Sequence, residues 1–488
     1  MLKLKKGVLA AAVLAMLVGS GCKKQLDINT DPNNPPVEQG TPRLVFPAAV
    51  LSTTGRVGGD MAILGGLWAQ YWTQSATANQ YKNIDMYNLR SADFNGAYTE
   101  LFSGALNDYQ FVIGKAKEAS DWQYLLMATV MKAYTYQILV DLYDQVPYTE
   151  AFKGNQNLQP KFDDGYTVYQ GLLAEINEAL SNDFKSATVD PKDKAADLVF
   201  KGDMEKWEQF ANTLKLKMYL RMVNAKPAEA EAGITALYAS GAKFLSTDAA
   251  IKSFQDVPDN SNPMYEYNVR KLNVGTNLRA SRTLLTYLQA NGDPRTGAYY
   301  TNTTGINQGD FASADPAVQG AGVVKQTAVD PVYFISEAES YFMQAEARER
   351  YFGGAGAKTL YDQAVLKAFN QFGLDGAAFI APGGAYEYPA AAGSLEEKIK
   401  AISTQKWISF FGSHALEGFF EKNRTGYPLT SAVYSDAPNY VPGEFVISKN
   451  AVTNGQLPKR LVFPNVERQR NNNTPAEVPI TTPVWWAK

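Results

Sequence analysis

The sequence predicts a mainly α fold in which helix pairs stack into a scaffold, with long irregular loops and a few short strands. Three observations carry this. Apolar residues recur at intervals of three and four in several stretches between residues 120 and 412, the spacing that places them on one helix face. Alanines Ala345, Ala364 and Ala368 stand where two of those helices would touch. Between the helices lie long stretches rich in Asn, Gly, Asp and Pro, with few β-branched runs of strand length.

The N-terminus is of another kind. Lys3, Lys5 and Lys6 precede an uncharged run from Gly7 to Gly21, the charged head, apolar centre and small-residue end of a secretory signal. "VGSG" (18–21) stands before Cys22, the one cysteine of the chain, and resembles the lipobox of bacterial lipoproteins, although Gly19 replaces its usual aliphatic residue. The predicted organisation is a lipoprotein signal peptide over 1–21, a lipidated, extended, proline-bearing tether over 22–42 and one ligand-binding domain over 43–488. Acyl chains on Cys22 would moor the protein, since each buried methylene contributes about 0.8 kcal/mol. Removing 1–21 takes three lysines and no acid, so the net charge moves from −3 to −6. That acidity argues against a nucleic-acid partner, which needs a basic patch. One cysteine and one histidine make neither an internal disulfide nor a usual zinc site.

The helices follow in order. In 120–143, Tyr124, Met127, Met131, Tyr134, Ile138 and Leu142 form the stripe; Ser120 or Asp121 can cap its start and Pro147 lies beyond its end. Tyr169, Leu172, Leu173, Ile176 and Leu180 mark 166–181, and Trp207, Phe210, Leu214, Met218 and Met222 mark 203–223. Residues 336–352 and 358–373 form a helix hairpin across "GGAGA", and 394–412 adds another helix. The hairpin's pattern of small and aromatic residues resembles tetratricopeptide units, whose pairs share one core. Irregular sequence fills 254–279, 291–332, 374–393 and most of 423–488, with "EFVISK" and "RLVFP" as possible strands.

Catalytic patterns are scarce. His414 has no nucleophile elbow near it and no carboxylate that the sequence identifies as its partner. "GGAGAKT" (353–359) lacks phosphate-loop spacing and joins two helices. Glu337, Glu339, Glu346 and Glu349 share a helix with Arg348 and Arg350, which points to structural ion pairs rather than a glycosidase carboxylate pair. The sequence thus implies no catalytic residue, no metal site and no cofactor.

Aromatic residues mixed with amides are the distinctive feature. Trp and Tyr offer an apolar face and a polar edge, which stack on sugar C–H faces or peptide planes while amides bond hydroxyls. In 67–88, Trp68, Tyr71 and Trp72 are spaced as on a buried helix face, whereas Tyr81 and Tyr87 fall in a loop. The candidate ligand contacts are Trp72, Asn79, Tyr81 and Tyr87 here, Tyr265, Tyr267 and Arg270 in "NSNPMYEYNVRKLNVGTN", and Tyr299 and Tyr300 in "RTGAYYTN".

Several stretches in order resemble one family. "LDINTDPNNP" (26–35), "AYTYQILVDLYDQVPYTEA" (133–151), "GDMEKWEQFANTLKLKMYLRM" (202–222), "SEAESYFMQAEARER" (336–350), "TQKWISFFG" with "EGFFEKNRTGYP" (404–428), and "LPKRLVFPNVE" (457–467) resemble the motifs of SusD/RagB nutrient-binding outer-membrane lipoproteins. One departure is Asp144-Gln145, where many relatives have Gly-Asp; glycine would permit a positive φ more easily than Asp. The resemblance implies tetratricopeptide-like pairs as scaffold, loops building a ligand site on one face, and no enzymatic activity. It also implies surface exposure on the outer membrane and a SusC-like TonB-dependent transporter as partner. Its scaffold motifs do not separate a glycan from a peptide ligand; the aromatic and amide mixture favours glycan, and a glycoside hydrolase is a further alternative.

Overall fold

A computed structural model describes residues 40–487. The predicted signal, Cys22 and all of the predicted tether before residue 40 lie outside the described residues. Pro42 opens α1 (Pro42–Val57), where a missing N–H costs nothing because the first turn leaves it unbonded. Gly58 and Gly59 turn the chain into α2 (Asp60–Trp68). A Cβ on Gly59 would lie 3.0 Å from the Tyr267 ring, so glycine permits that close approach. Gln70, at φ 58°, follows α2, and Trp72 begins β1 (Trp72–Gln74). Trp68, Tyr71 and Trp72 therefore do not share one helix face, although all three are buried.

Helix pairs build the body. In the first, α3 (Asn107–Ala119) and α4 (Trp122–Tyr143), Ser120 turns the chain at φ 53° and the Asp121 carboxylate accepts from the Tyr124 N–H at 3.2 Å. Every residue from Tyr124 to Tyr143 is buried, as befits a helix surrounded by others. Next come β2 (Gln145–Pro147), β3 (Phe162–Asp164), α5 (Gly165–Leu180), α6 (Met204–Arg221) and α7 (Pro227–Ala239). Asp164 and Asp203 cap α5 and α6. After β4 (Ala249–Ile251), β5 (Leu278–Ala280), α8 (Arg282–Ala290) and β6 (Val332–Ile335) comes the second predicted pair, α9 (Glu337–Tyr351) and α10 (Ala357–Asn370). Gly353, Gly354 and Gly356 form its turn at positive φ, and Ala345, Ala364 and Ala368 are buried within the pair's core. α11 (Leu395–Ser409), with a Ser394–Glu397 capping box, and α12 (Ala415–Thr425) complete the scaffold.

Asp144 keeps the positive φ that glycine would give, at 69°. Its side chain offsets the strain: the carboxylate accepts from the Trp485 N–H at 2.6 Å and lies 3.5 Å from Arg460. The two late strand expectations are not met. "RLVFP" pairs with no strand among the described residues; its Leu461 N–H bonds the Leu142 carbonyl near the end of α4. "EFVISK" makes one isolated bridge, Phe445 with Thr430, while the Val446 N–H bonds the Gln70 side chain.

A buried ionic network ties five helices together. Arg221 of α6 meets Asp141 of α4 at 3.1 Å and Glu417 and Glu421 of α12 at 2.9 and 3.0 Å. Lys217 bridges Glu417 and Glu339 of α9; Arg424 joins Glu346 to Glu421, and Lys406 of α11 approaches Glu421. His414 Nε2 lies 3.0 Å from Glu339, so this histidine has a carboxylate after all, inside the core. The α9 acids form structural ion pairs as the sequence implies, mostly with partners on other elements: Glu337 with Lys367, Glu349 with Lys398, and Glu346 with Arg424 as well as Arg350. Arg348 instead lies over the Tyr238 ring.

Candidate functional site

The irregular segments meet around the small antiparallel sheet of β1 and β5, in the register Trp72↔Ala280, Thr73↔Arg279, Gln74↔Leu278. The loop leaving β1 and the loop entering β5 run side by side, the Ser75 N–H donating to the Asn277 carbonyl at 2.7 Å. Single bridges Arg279↔Val323, Ser281↔Ile306 and Tyr300↔Val324 add residues 300–324 to the same place. Three stretches distant in sequence become one loop face.

Asp85 fixes that face from beneath. Its carboxylate is fully buried and accepts from Thr73 Oγ1 at 2.6 Å, the Gln74 N–H at 2.8 Å and Gln308 Nε2 at 2.5 Å. Burial pushes the Asp85 carboxyl up to about 6, against the pull of these bonds. The bonds draw residues 81–87 inward, so Tyr81 and Tyr87 are core side chains at 7% and 2% exposure. Both lie outside the long helices, as expected, yet neither presents a face to a ligand in solution.

Trp72, Tyr299 and Tyr300 are likewise buried and must be corrected as direct contacts. They enclose Phe411: Tyr299 stacks on it at 3.9 Å and 2°, while Tyr300 and Trp72 meet it edge-on, each at 5.5 Å. Their polar ends are satisfied internally, Tyr299 Oη donating to the Ile408 carbonyl, Tyr300 Oη to that of Tyr71, and Trp72 Nε1 to that of Ile63. An aromatic mixed with amides has the same sequence signature whether its edge bonds a ligand or a backbone carbonyl.

The remaining candidates are accessible. Asn79 is exposed on the loop after β1. Tyr265, Tyr267 and Arg270 lie on a short helix, Pro263–Tyr265, that continues as a π turn, Glu266–Lys271, and all three are partly exposed. The Arg270 guanidinium is 2.6 Å from Asp256 and 3.1 Å from Glu266, and lies over the Tyr265 ring at 5.4 Å. Tyr267 Oη accepts from Arg56 at 2.7 Å, and Lys271 lies over its ring at 5.7 Å.

This 263–271 wall separates two depressions. On one side an open groove of 560 Å³ runs along α1, lined by Leu51, Ser52, Arg56, Glu100, Tyr267 and Lys271. On the other a cleft of 360 Å³ lies under residues 324–331, with Phe411 and Phe372 among its lining. Asn79 lines neither. The sequence reading missed Arg56, in the last turn of α1, and Phe411, two residues beyond the end of α11; nothing local in the sequence marks either as lining a depression.

A SusD-like family profile, described as starch-binding associating with outer membrane, matches residues 42–464. The chain belongs to this family. Solved SusD-like structures share its fold. One is a SusD homologue from Bacteroides uniformis, 23% identical, with TM-score 0.73, covering 91% of this chain and 99% of that one. Another is a chitin-binding SusD homologue from Flavobacterium johnsoniae, 20% identical, with TM-score 0.73, covering 91% and 98%. A SusD/RagB family protein from Bacteroides thetaiotaomicron is 19% identical, with TM-score 0.71, covering 92% and 99%. A search of curated proteins gives no match. In this SusD-like chain no helix among the described residues is long and apolar enough to cross a membrane.

Proposed function

We propose that this protein is a surface-exposed outer-membrane lipoprotein that captures oligosaccharides without altering them and delivers them to a SusC-like TonB-dependent transporter. The family match over residues 42–464 carries the reading. A chitin-binding relative of the same fold supports a glycan over a peptide. Cys22 is the proposed lipid attachment, which would leave the domain tethered yet free to swing over its transporter.

The open groove beside Tyr267 is the proposed capture surface, with Tyr265 and Arg270 flanking it; Asn79, exposed on the loop after β1, is a candidate contact outside the groove. A ring backed by Arg56 and Lys271 has one orientation fixed before ligand arrives, which reduces the ordering cost of binding. An open surface of this kind binds weakly, about micromolar to millimolar, and a millimolar constant is about −4 kcal/mol. Weak capture suits a protein that must release its cargo.

Calorimetry with a panel of oligosaccharides and peptides tests this. Saturable binding of at least one oligosaccharide with no released reducing ends is expected, and Tyr267→Ala should weaken it about tenfold, or about 1.4 kcal/mol. Binding of peptides alone would overturn the glycan reading. Reducing ends that vanish on a Glu-to-Gln substitution would overturn the non-enzymatic one.

A further inference from the structure

A further cavity lies between scaffold helices. α6 packs against both α5 and α7, and its residues 205, 208, 209, 212 and 215, spaced by threes and fours on one face, line the space between the ends of the other two. Short residues at those ends, Ser181, Ser240, Gly241 and Ala242, leave a cavity of 420 Å³. Gly241 turns the chain there at φ 71°, with nothing within 4 Å of where a Cβ would stand. Asn212 Nδ2 donates to the Lys243 carbonyl at 3.3 Å and so ties the segment after α7 to α6. None of these residues lines the groove beside Tyr267.

Lys215 sets the chemistry of this cavity. Its side chain lines the space and is partly buried. Burial lowers its ammonium from the ordinary lysine value, and no acidic neighbour raises it again. The carbonyls at the two helix ends are already engaged: that of Leu237 accepts from the Ala242 N–H at 3.2 Å and Ser240 Oγ at 2.8 Å, and that of Glu178 from the Ser181 N–H at 3.2 Å and Ser181 Oγ at 2.7 Å. Lys185 and Glu208 neutralise each other at 2.5 Å. Lys215 and Lys243 then stand against Glu205 alone, which is exposed, so the lining keeps one net positive charge. A partly desolvated charge without a counter-ion is costly, and here it faces a cavity.

We propose that this cavity binds a single carboxylate group on Lys215, as carried by a uronic acid or by the C-terminal residue of a short peptide. The Lys215 ammonium donates to the carboxylate, and the amides of Asn177 and Gln209, which line the same cavity, donate beside it; charge-assisted bonds of this kind are stronger than neutral ones. An uncharged ligand would leave the ammonium desolvated and unpaired. A dianion is disfavoured because one net positive charge leaves its second negative charge unmatched. The volume, at the small end of ligand pockets of about 300–1,000 Å³, suits one sugar or one terminal residue. The site stands apart from the capture function proposed above, since it shares no residue with the open groove.

The test uses the full chain with glucuronate and N-acetylleucine as carboxylates, glucose and N-acetylleucinamide as their neutral counterparts, and inorganic phosphate as the more highly charged anion. Binding is read by ligand-observed NMR titration, and folding by thermal melting. Lys215→Met is expected to weaken the bound carboxylate by about tenfold or more, with an unchanged or higher melting temperature because a desolvated charge is removed. Lys271→Met, in the groove beside Tyr267, is expected to leave that binding unchanged. The tighter of the two carboxylates identifies the source. Binding that survives Lys215→Met and is lost with Lys271→Met would overturn the site, as would failure of the wild-type protein to bind either carboxylate. Neutral counterparts bound as tightly would overturn the carboxylate assignment, and phosphate bound more tightly would overturn the single charge. Should Lys215→Met fail to fold, Asn177→Trp at the exposed mouth replaces it: loss of the carboxylate is expected, and undiminished binding counts against the site.

Discussion

At the scale of single residues, Asp85 shows how one carboxylate organises a loop face. Its two oxygens accept from three donors on two segments, Thr73 and Gln74 in β1 and Gln308 on the loop after Tyr300. Asparagine has one acceptor atom and would turn N–H donors toward at least one of these partners. Asp85→Asn is therefore expected to cost about 1–3 kcal/mol, from one or more unsatisfied buried groups, measured as a shift in urea midpoint at constant slope. A neutral outcome would mean that the loops do not depend on this bond set. The same bonds explain why Tyr81 and Tyr87 were misplaced by sequence reading. Their loop composition is visible locally; the inward pull comes from Gln308, more than 200 positions away. Tyr265 and Tyr267 keep partial exposure because their helix forms a wall between two depressions.

At the scale of elements, the helices were legible because their signals are short-range. The stripe of 166–181 and its Asp164 cap, or the stripe of 394–412 and its Ser394 capping box, are complete within one segment. Helices α1, α2, α3, α7 and α8 were not foreseen: in α2 nearly every residue is buried, so no stripe stands out, and α1 carries Pro47 inside it. The end of α4 gives a sharper test. Asp144 combines an unfavourable φ of 69° with a bond to the Trp485 N–H. Asp144→Gly should relieve the first and lose the second, giving a net change within about 1 kcal/mol. Asp144→Ala loses the bond and keeps the strain, and is expected to cost about 2 kcal/mol. Chemical denaturation of the pair separates the two contributions; equal losses would contradict the assignment.

At the scale of the whole molecule, the ionic network joins helices that no short-range signal connects. Arg221 faces three carboxylates at 1% exposure. Arg221→Met leaves them without their cation and should cost about 3–5 kcal/mol in denaturation experiments; a cost under 1 kcal/mol would show that the carboxylates find other partners. The network also shapes the pH response. Burial holds Asp85 and Asp141 up at about 6, so the native state keeps protons there that the unfolded chain, at about 3.9, releases. Between about pH 4 and 6 these two groups make stability fall as pH rises. For Glu339, Glu346 and Glu421 burial acts upward, but facing cations prevail: Lys217 and His414 hold Glu339 well below the usual carboxylate range, Arg424 and Arg350 do so for Glu346, and Arg424, Lys406 and Arg221 for Glu421. Their contribution is complete above about pH 4.3, the unfolded value, and is lost as pH falls below it. Urea midpoints should therefore rise from pH 7 to about 5 and drop steeply below about 4. A midpoint that falls steadily from pH 7 downward would contradict this balance.

The sequence by itself determined that the chain is mainly helical, where most of the long helices run and which family its motifs resemble, because periodicity, caps and turn glycines act over three to five residues. Only the tertiary structure decided which aromatics are core and which are accessible. Trp72, Tyr299 and Tyr300 close around Phe411, more than 100 residues from each, whereas Tyr267 stands at a groove beside Arg56. Burial is set by such long-range neighbours, and neighbouring letters in the sequence carry no record of them.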